Sequence, residues 1–106
     1  MYSIFRTTGF KKDFKKLSQN DKNQVKEIIL KLVNGEKLEE KYKDHKLIGN
    51  YLGTRECHIK PNLLLIYKID NSILELALVR TGTHSELFKN VENPEFLGET
   101  LQNLNN

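Results

Sequence analysis

The chain has 106 residues, one cysteine, 29% charged and 38% hydrophobic residues, and a formal net charge of +3. That length gives one domain with a small core, and the composition excludes a disordered or fibrous chain. A lone cysteine, Cys57, excludes an intramolecular disulfide and fits a reducing cytoplasm, and no apolar run approaches the ~20 residues of a membrane span.

Met1–Arg6 shows no basic segment followed by an apolar one, so a signal peptide is not expected. Its apolar residues Tyr2, Ile4 and Phe5 read as a short strand. Thr7-Thr8-Gly9 breaks it, with Thr8 as the expected N-cap. Phe10, Phe14 and Leu17 then share one helix face, with Lys11, Lys12, Lys15 and Lys16 around them. The segment 18–21 offers caps for a second helix. Val25, Ile28, Ile29 and Leu32 give that helix the clearest apolar stripe in the chain, and Asn34-Gly35 stops it.

Residues 36–50 are polar and read as a loop or broken helix anchored by Leu38, Tyr42, Leu47 and Ile48. Three strands follow: 54–60, 63–69 and 73–80, separated by the turns Pro61-Asn62 and Asp70-Asn71-Ser72. The run Leu63-Leu64-Leu65-Ile66-Tyr67 is apolar on both faces and so belongs at the centre of the sheet. Asn93 and Pro94 open a last amphipathic segment carrying Phe96, Leu97, Leu101 and Leu104. The expected fold is α+β: an N-terminal helical hairpin on one face of a small, mostly antiparallel sheet, the other face open, with a short C-terminal helical extension.

Charge is uneven along the chain. Residues 86–106 hold one Lys and four Glu, leaving 16 basic and 10 acidic residues, a net of +6, in the first 85. A basic body suits a polyanionic partner such as nucleic acid, and a solvated lysine surface gives the same count. All three histidines, His45, His58 and His84, lie beside turns. Histidine gives and takes a proton near neutral pH, and these three meet only if three segments fold together. No glycine-rich phosphate loop, CxxC or HExxH is present.

Four motifs, in order, carry a family resemblance: Tyr42-Lys43-Asp44-His45, Arg55-Glu56-Cys57-His58-Ile59-Lys60-Pro61, the Leu63–Tyr67 strand, and Arg80-Thr81-Gly82-Thr83-His84-Ser85-Glu86-Leu87-Phe88. They resemble the YafQ-type toxins of the RelE/ParE superfamily, the toxin halves of bacterial type II toxin–antitoxin pairs. The resemblance covers about residues 1–88, so the expected organisation is one domain over 1–106 with a core at 1–88 and an extension at 89–106. It implies a cytoplasmic, metal-independent endoribonuclease, without cofactor, that cuts mRNA at the ribosome. It also implies a cognate antitoxin, with operator DNA reached only through the antitoxin complex and no role for a membrane. It assigns catalysis to His45, His58 and His84, and supporting or substrate-binding roles to Glu56, Asn62, Arg80 and Phe88. Position 62 is often Asp in relatives; Asn here cannot act as a general base. Position 56 keeps its charge as Glu where some relatives have Asp. Relatives commonly end near Leu87-Phe88, and this chain runs on to Asn106.

The chemistry fits those residue types. RNA carries its own nucleophile, the 2′-OH, and needs a base, an acid and a cation around the phosphate. Each residue also has a plainer reading. His84 can be an exposed loop histidine, His58 with Glu56 a polar pair on one strand face, and His45 a solvent-titrating group in a lysine-rich loop. Arg80, on one face with Leu74, Leu76 and Leu78, can clamp a phosphate or form a salt bridge. Phe88 can stack on a base or pack in the core. Cys57 reads as a small buried apolar residue, and no close histidine spacing favours zinc. Two other functions share the fold: a ParE-like toxin that inhibits gyrase without catalysis, and an RNA-binding module.

Overall fold

The computed structural model describes residues 1–88; the expected helix over 93–104 lies outside them. The elements are β1 (Ser3–Arg6), α1 (Thr8–Lys15), α2 (Gln19–Val33), β2 (His45–Lys46), β3 (Arg55–Lys60), β4 (Leu63–Asp70), β5 (Glu75–Gly82) and α3 (His84–Phe88), with 3-10 turns at Glu40–Tyr42 and Gly49–Tyr51.

Local chemistry sets the helix boundaries. Thr7 caps α1: its backbone is extended and its side chain accepts the Phe10 N–H. The expected cap, Thr8, is already helical, so the start lies one residue earlier. Ser18 caps α2 by accepting the Asp21 N–H, which satisfies one of the donors a helix start leaves open. Phe10, Val25, Ile28 and Leu32 are buried against the sheet, with Phe14, Leu17 and Ile29 half-buried beside them. Each fully buried aliphatic side chain contributes roughly 1.5–3 kcal/mol by leaving water.

The sheet order is β1-β5-β4-β3-β2, with β4 at its centre as the doubly apolar run requires. β1 runs parallel to β5, and every other neighbouring pair is antiparallel. Alternation along β4 divides the core. Leu63, Leu65 and Tyr67 join the large cluster under α1 and α2. Leu64 and Ile66 point the other way, into a smaller cluster with Leu47, Leu87 and Phe88. The second face is therefore not open, as the helical hairpin alone would leave it. α3 and Leu47 cover part of it.

The last strand also starts later than its apolar pattern implies. Ile73 and Leu74 are 61% and 53% exposed, and Leu74 has φ 51°. They complete a turn that begins where the Asp70 carboxylate accepts from the Ser72 N–H and hydroxyl. The Leu74 carbonyl then accepts the Ser3 N–H and starts the pairing with β1. Among the described residues no helix is long and apolar enough to cross a membrane.

Candidate active site

Two rungs of the sheet carry four of the seven sequence-predicted residues. One runs His45, Glu56, Ile66, Arg80 across β2, β3, β4 and β5; the next runs His58, Leu64, Gly82 across β3, β4 and β5. Antiparallel Cα partners are about 5 Å apart, so four strands bring these side chains to one patch roughly 15 Å wide. Directly paired residues share a face, and Ile66 and Leu64 mark it as the face away from α1 and α2.

Glu56 is the hub of the patch. It is 2% exposed, and its Oε1 lies 3.3 Å from His45 Nε2 and 3.8 Å from His58 Nε2. The two imidazole centroids are 6.3 Å apart. His45 Nδ1 meets the Lys43 carbonyl at 2.7 Å; a carbonyl only accepts, so Nδ1 is the donor and the bond orients the ring. Lys43 turns that carbonyl inward by adopting the left-handed region, with φ 50°.

Behind β2, on the helix-covered face, Asp44 locks the segment. Its carboxylate accepts from Arg55 Nε and Nη2 at 3.1 and 2.9 Å and from the Tyr67 hydroxyl at 2.5 Å. Hydrogen bonding to Asp44 raises the Arg55 pKa. Burial, then the Asp44 carboxylate, raises that of Tyr67. Asp44 and His45 thus point to opposite faces, Asp44 toward Arg55 and Tyr67 and His45 toward Glu56. Neighbouring Cys57 is buried on the anchor side, and burial pushes its thiol up to about 12. It is the small core residue its position between two polar neighbours implied.

Arg80 reaches the patch through a bulge. Leu78 pairs with Tyr67 and Arg80 with Ile66, leaving Val79 as the extra residue. Strict alternation put Arg80 on one face with Leu76 and Leu78; the bulge moves it to the histidine face. Its guanidinium is already engaged. Nε and Nη2 donate to Asp13 at 2.6 and 3.1 Å, which raises the Arg80 pKa. Asp13 also accepts the Thr81 N–H, tying α1 to the β5 edge. A Cβ at Gly9 would stand 2.9 Å from Arg80 Cδ, so glycine there leaves room for the arginine. The salt bridge is therefore present, and Asp13 is the partner of Arg80 that sequence reasoning missed.

His84 opens α3 at the rim. Thr83 Oγ1 accepts the Glu86 N–H, and Glu86 Oε1 accepts the Thr83 N–H at 2.9 Å. This is a capping box, and Thr83-His84-Ser85-Glu86 was its visible signature. Gly82, at φ 150°, makes the turn; a Cβ there would meet Glu86 Oε1 at 2.8 Å. His84 is exposed, with its ring 4.7 Å from that of Phe88. Phe88 is 5% exposed and packs edge-on to Tyr51. It packs in the core, the plainer of its two readings, with the His84 ring against it. Asn62 is exposed in the β3–β4 turn, four residues along the chain from His58. Among the described residues no group of three or more His, Cys, Asp or Glu side chains is arranged to hold a metal ion.

Comparison with known proteins places this geometry in a family. Residues 2–89 match the family model for the bacterial toxin of type II toxin–antitoxin systems, YafQ. The mRNA interferase toxin YafQ of Escherichia coli K12 is 41% identical over 69 residues, 64% of this chain and 73% of that one. A metal-bound toxin from Helicobacter pylori superposes with a TM-score of 0.75 at 43% identity, covering 83% of this chain and 100% of that one. The Escherichia coli DinJ–YafQ complex gives 0.74 at 35% identity, with 83% and 99% covered. The chain therefore belongs to the YafQ family of toxins from bacterial type II toxin–antitoxin systems.

Proposed function

We propose that this chain is an endoribonuclease that cuts mRNA by histidine acid–base catalysis and is held in check by an antitoxin protein. Family membership supports the toxin, the mRNA interferase relative supports the reaction, and the DinJ–YafQ complex supports the partner. The observation that carries the chemistry is the convergence of His45 and His58 on buried Glu56, with Arg80 on the same rung.

One histidine takes the proton of the 2′-OH, and that oxygen bonds to the adjacent phosphorus. The bond from phosphorus to the 5′-oxygen breaks, and a second histidine returns a proton to the leaving oxygen. The products are a 2′,3′-cyclic phosphate and a 5′-OH end. Arg80, steadied by Asp13, faces the charge that gathers on the phosphate, and Glu56 orients the two rings it touches. His84 stands at the rim as the exposed partner. Asn62 holds substrate or a neighbouring ring by hydrogen bonds and moves no proton. Side chains supply base, acid and cation, so the step is complete without a metal.

The substrate is mRNA engaged by the ribosome, in the cytoplasm. Residues 1–88 carry the reaction and 89–106 form an extension to that core. Operator DNA is reached only through the antitoxin complex. Incubation with translated and with free mRNA, beside a gyrase supercoiling assay, tests this reading. Cleavage during translation is expected. Inhibited supercoiling with intact RNA would replace the nuclease with a gyrase-directed toxin.

A further inference from the structure

Beside the histidines, on the far side of His58, a groove of about 530 Å³ runs between the turn at residues 41–43, α2 and the β3–β4 hairpin. That volume lies in the range of small-ligand sites. Its walls include Lys41, Tyr42, Lys43, Lys60 and Gln24, with His58 shared with the site. Two carboxylates stand by: Glu39 lies 3.6 Å from Lys41 Nζ, and Asp21 lies 2.7 Å from Lys60 Nζ. Lys41 and Lys43 are exposed, and Lys41 Nζ lies 5.2 Å from the centre of the Tyr42 ring.

We propose that this groove is a second subsite, which binds the single-stranded RNA flanking the scissile phosphate. The inference rests on the nuclease reading. Two links join groove and site. His58 is a wall of both, and the Lys43 carbonyl holds His45 Nδ1. A polymer lying over the histidines continues into the groove, so its occupant is the next stretch of the same strand. Lys41 and Lys43 meet backbone phosphates. Tyr42 gives an aromatic wall for a base, and the Gln24 amide offers both a donor and an acceptor to a base edge. Lys60, pinned by Asp21, frames the far wall.

The salt dependence of binding tests this directly. The full chain carrying His84→Ala would be titrated with a fluorescein-labelled single-stranded RNA of about ten nucleotides, a length an extended groove can track. Each phosphate contact on a single strand adds about 0.7 to the slope of log affinity against log salt. Lys41→Gln with Lys43→Gln should therefore lower the slope by about 1.4. Lys12→Gln with Lys16→Gln removes the same charge from exposed positions on and just after α1 and should leave the slope unchanged. An equal fall in both pairs, or none in either, would overturn the subsite. A His84→Ala chain that binds no RNA at any salt would also overturn the subsite, whereas the nuclease reading falls only if the unsubstituted chain leaves translated mRNA intact.

Discussion

The two faces of the sheet do different work with alternate residues of the same strands. On β3, Cys57 and Ile59 enter the core under α1 and α2, while Glu56 and His58 present the site. On β4, Leu63, Leu65 and Tyr67 join the large cluster, while Leu64 and Ile66 floor the histidine patch. Because the side-chain period of a strand is two, the two sets of side chains interleave along one strand. Substitutions of the histidines and of the core residues under α1 and α2 should therefore separate into loss of activity and loss of fold.

The largest effect is expected on the site face. His84→Ala should lower cleavage by ~10²–10⁴, the usual cost of losing a positioned acid or base, with the melting temperature unchanged. His58→Ala should behave alike and His45→Ala somewhat less severely; cleavage rates beside thermal melts check this. On the opposite face, Ile28→Ala should cost about 2–5 kcal/mol of stability. Denaturant titration measures that loss, and the protein that stays folded should cleave at the original rate. A rate that fell with stability would break the separation.

Alkaline pH probes how well the helix-covered face is sealed. The Cys57 thiol is raised from 9.0 to about 12, so between those values the unfolded chain has lost a proton that the folded chain keeps. Its contribution is fully present below pH 9.0 and is lost as pH rises through about 12. The full loss is on the order of 4 kcal/mol. Tyr67, whose pKa is raised above 10.0, adds to the same decline at higher pH. Cys57→Ala should flatten the first part of the fall in unfolding midpoints measured across that window. The smallest effect is expected at Asn62. Asn62→Asp should keep cleavage and shift its pH profile, because the amide does not titrate and the carboxylate does; abolished cleavage in an intact fold would give the amide a further role.

Where the sequence carried a period, the fold was legible. The stripe Val25, Ile28, Leu32 required a buried helix, and the doubly apolar Leu63–Tyr67 required a central strand. Two residues, as in β2, carry no period, so the strand that delivers His45 was hidden inside a polar stretch. A bulge is a break in alternation that the residues around Val79 do not advertise, because Leu74, Leu76, Leu78 and Arg80 alternate without interruption. Asp13 lies 67 residues from Arg80, and nothing local marks the pair. The capping box of α3 was legible in Thr83 and Glu86. The Glu56–His58 pair was too, since i and i+2 share a face; that His45 would join it depended on pairing between distant segments.

Cleavage by the full chain in EDTA, with analysis of the RNA ends, tests most directly whether the histidine face does the chemistry. Undiminished cutting that leaves a 2′,3′-cyclic phosphate, or the 3′-phosphate derived from it, is expected, together with a 5′-OH. Activity lost in EDTA and restored by zinc, with 5′-phosphate ends, would contradict it.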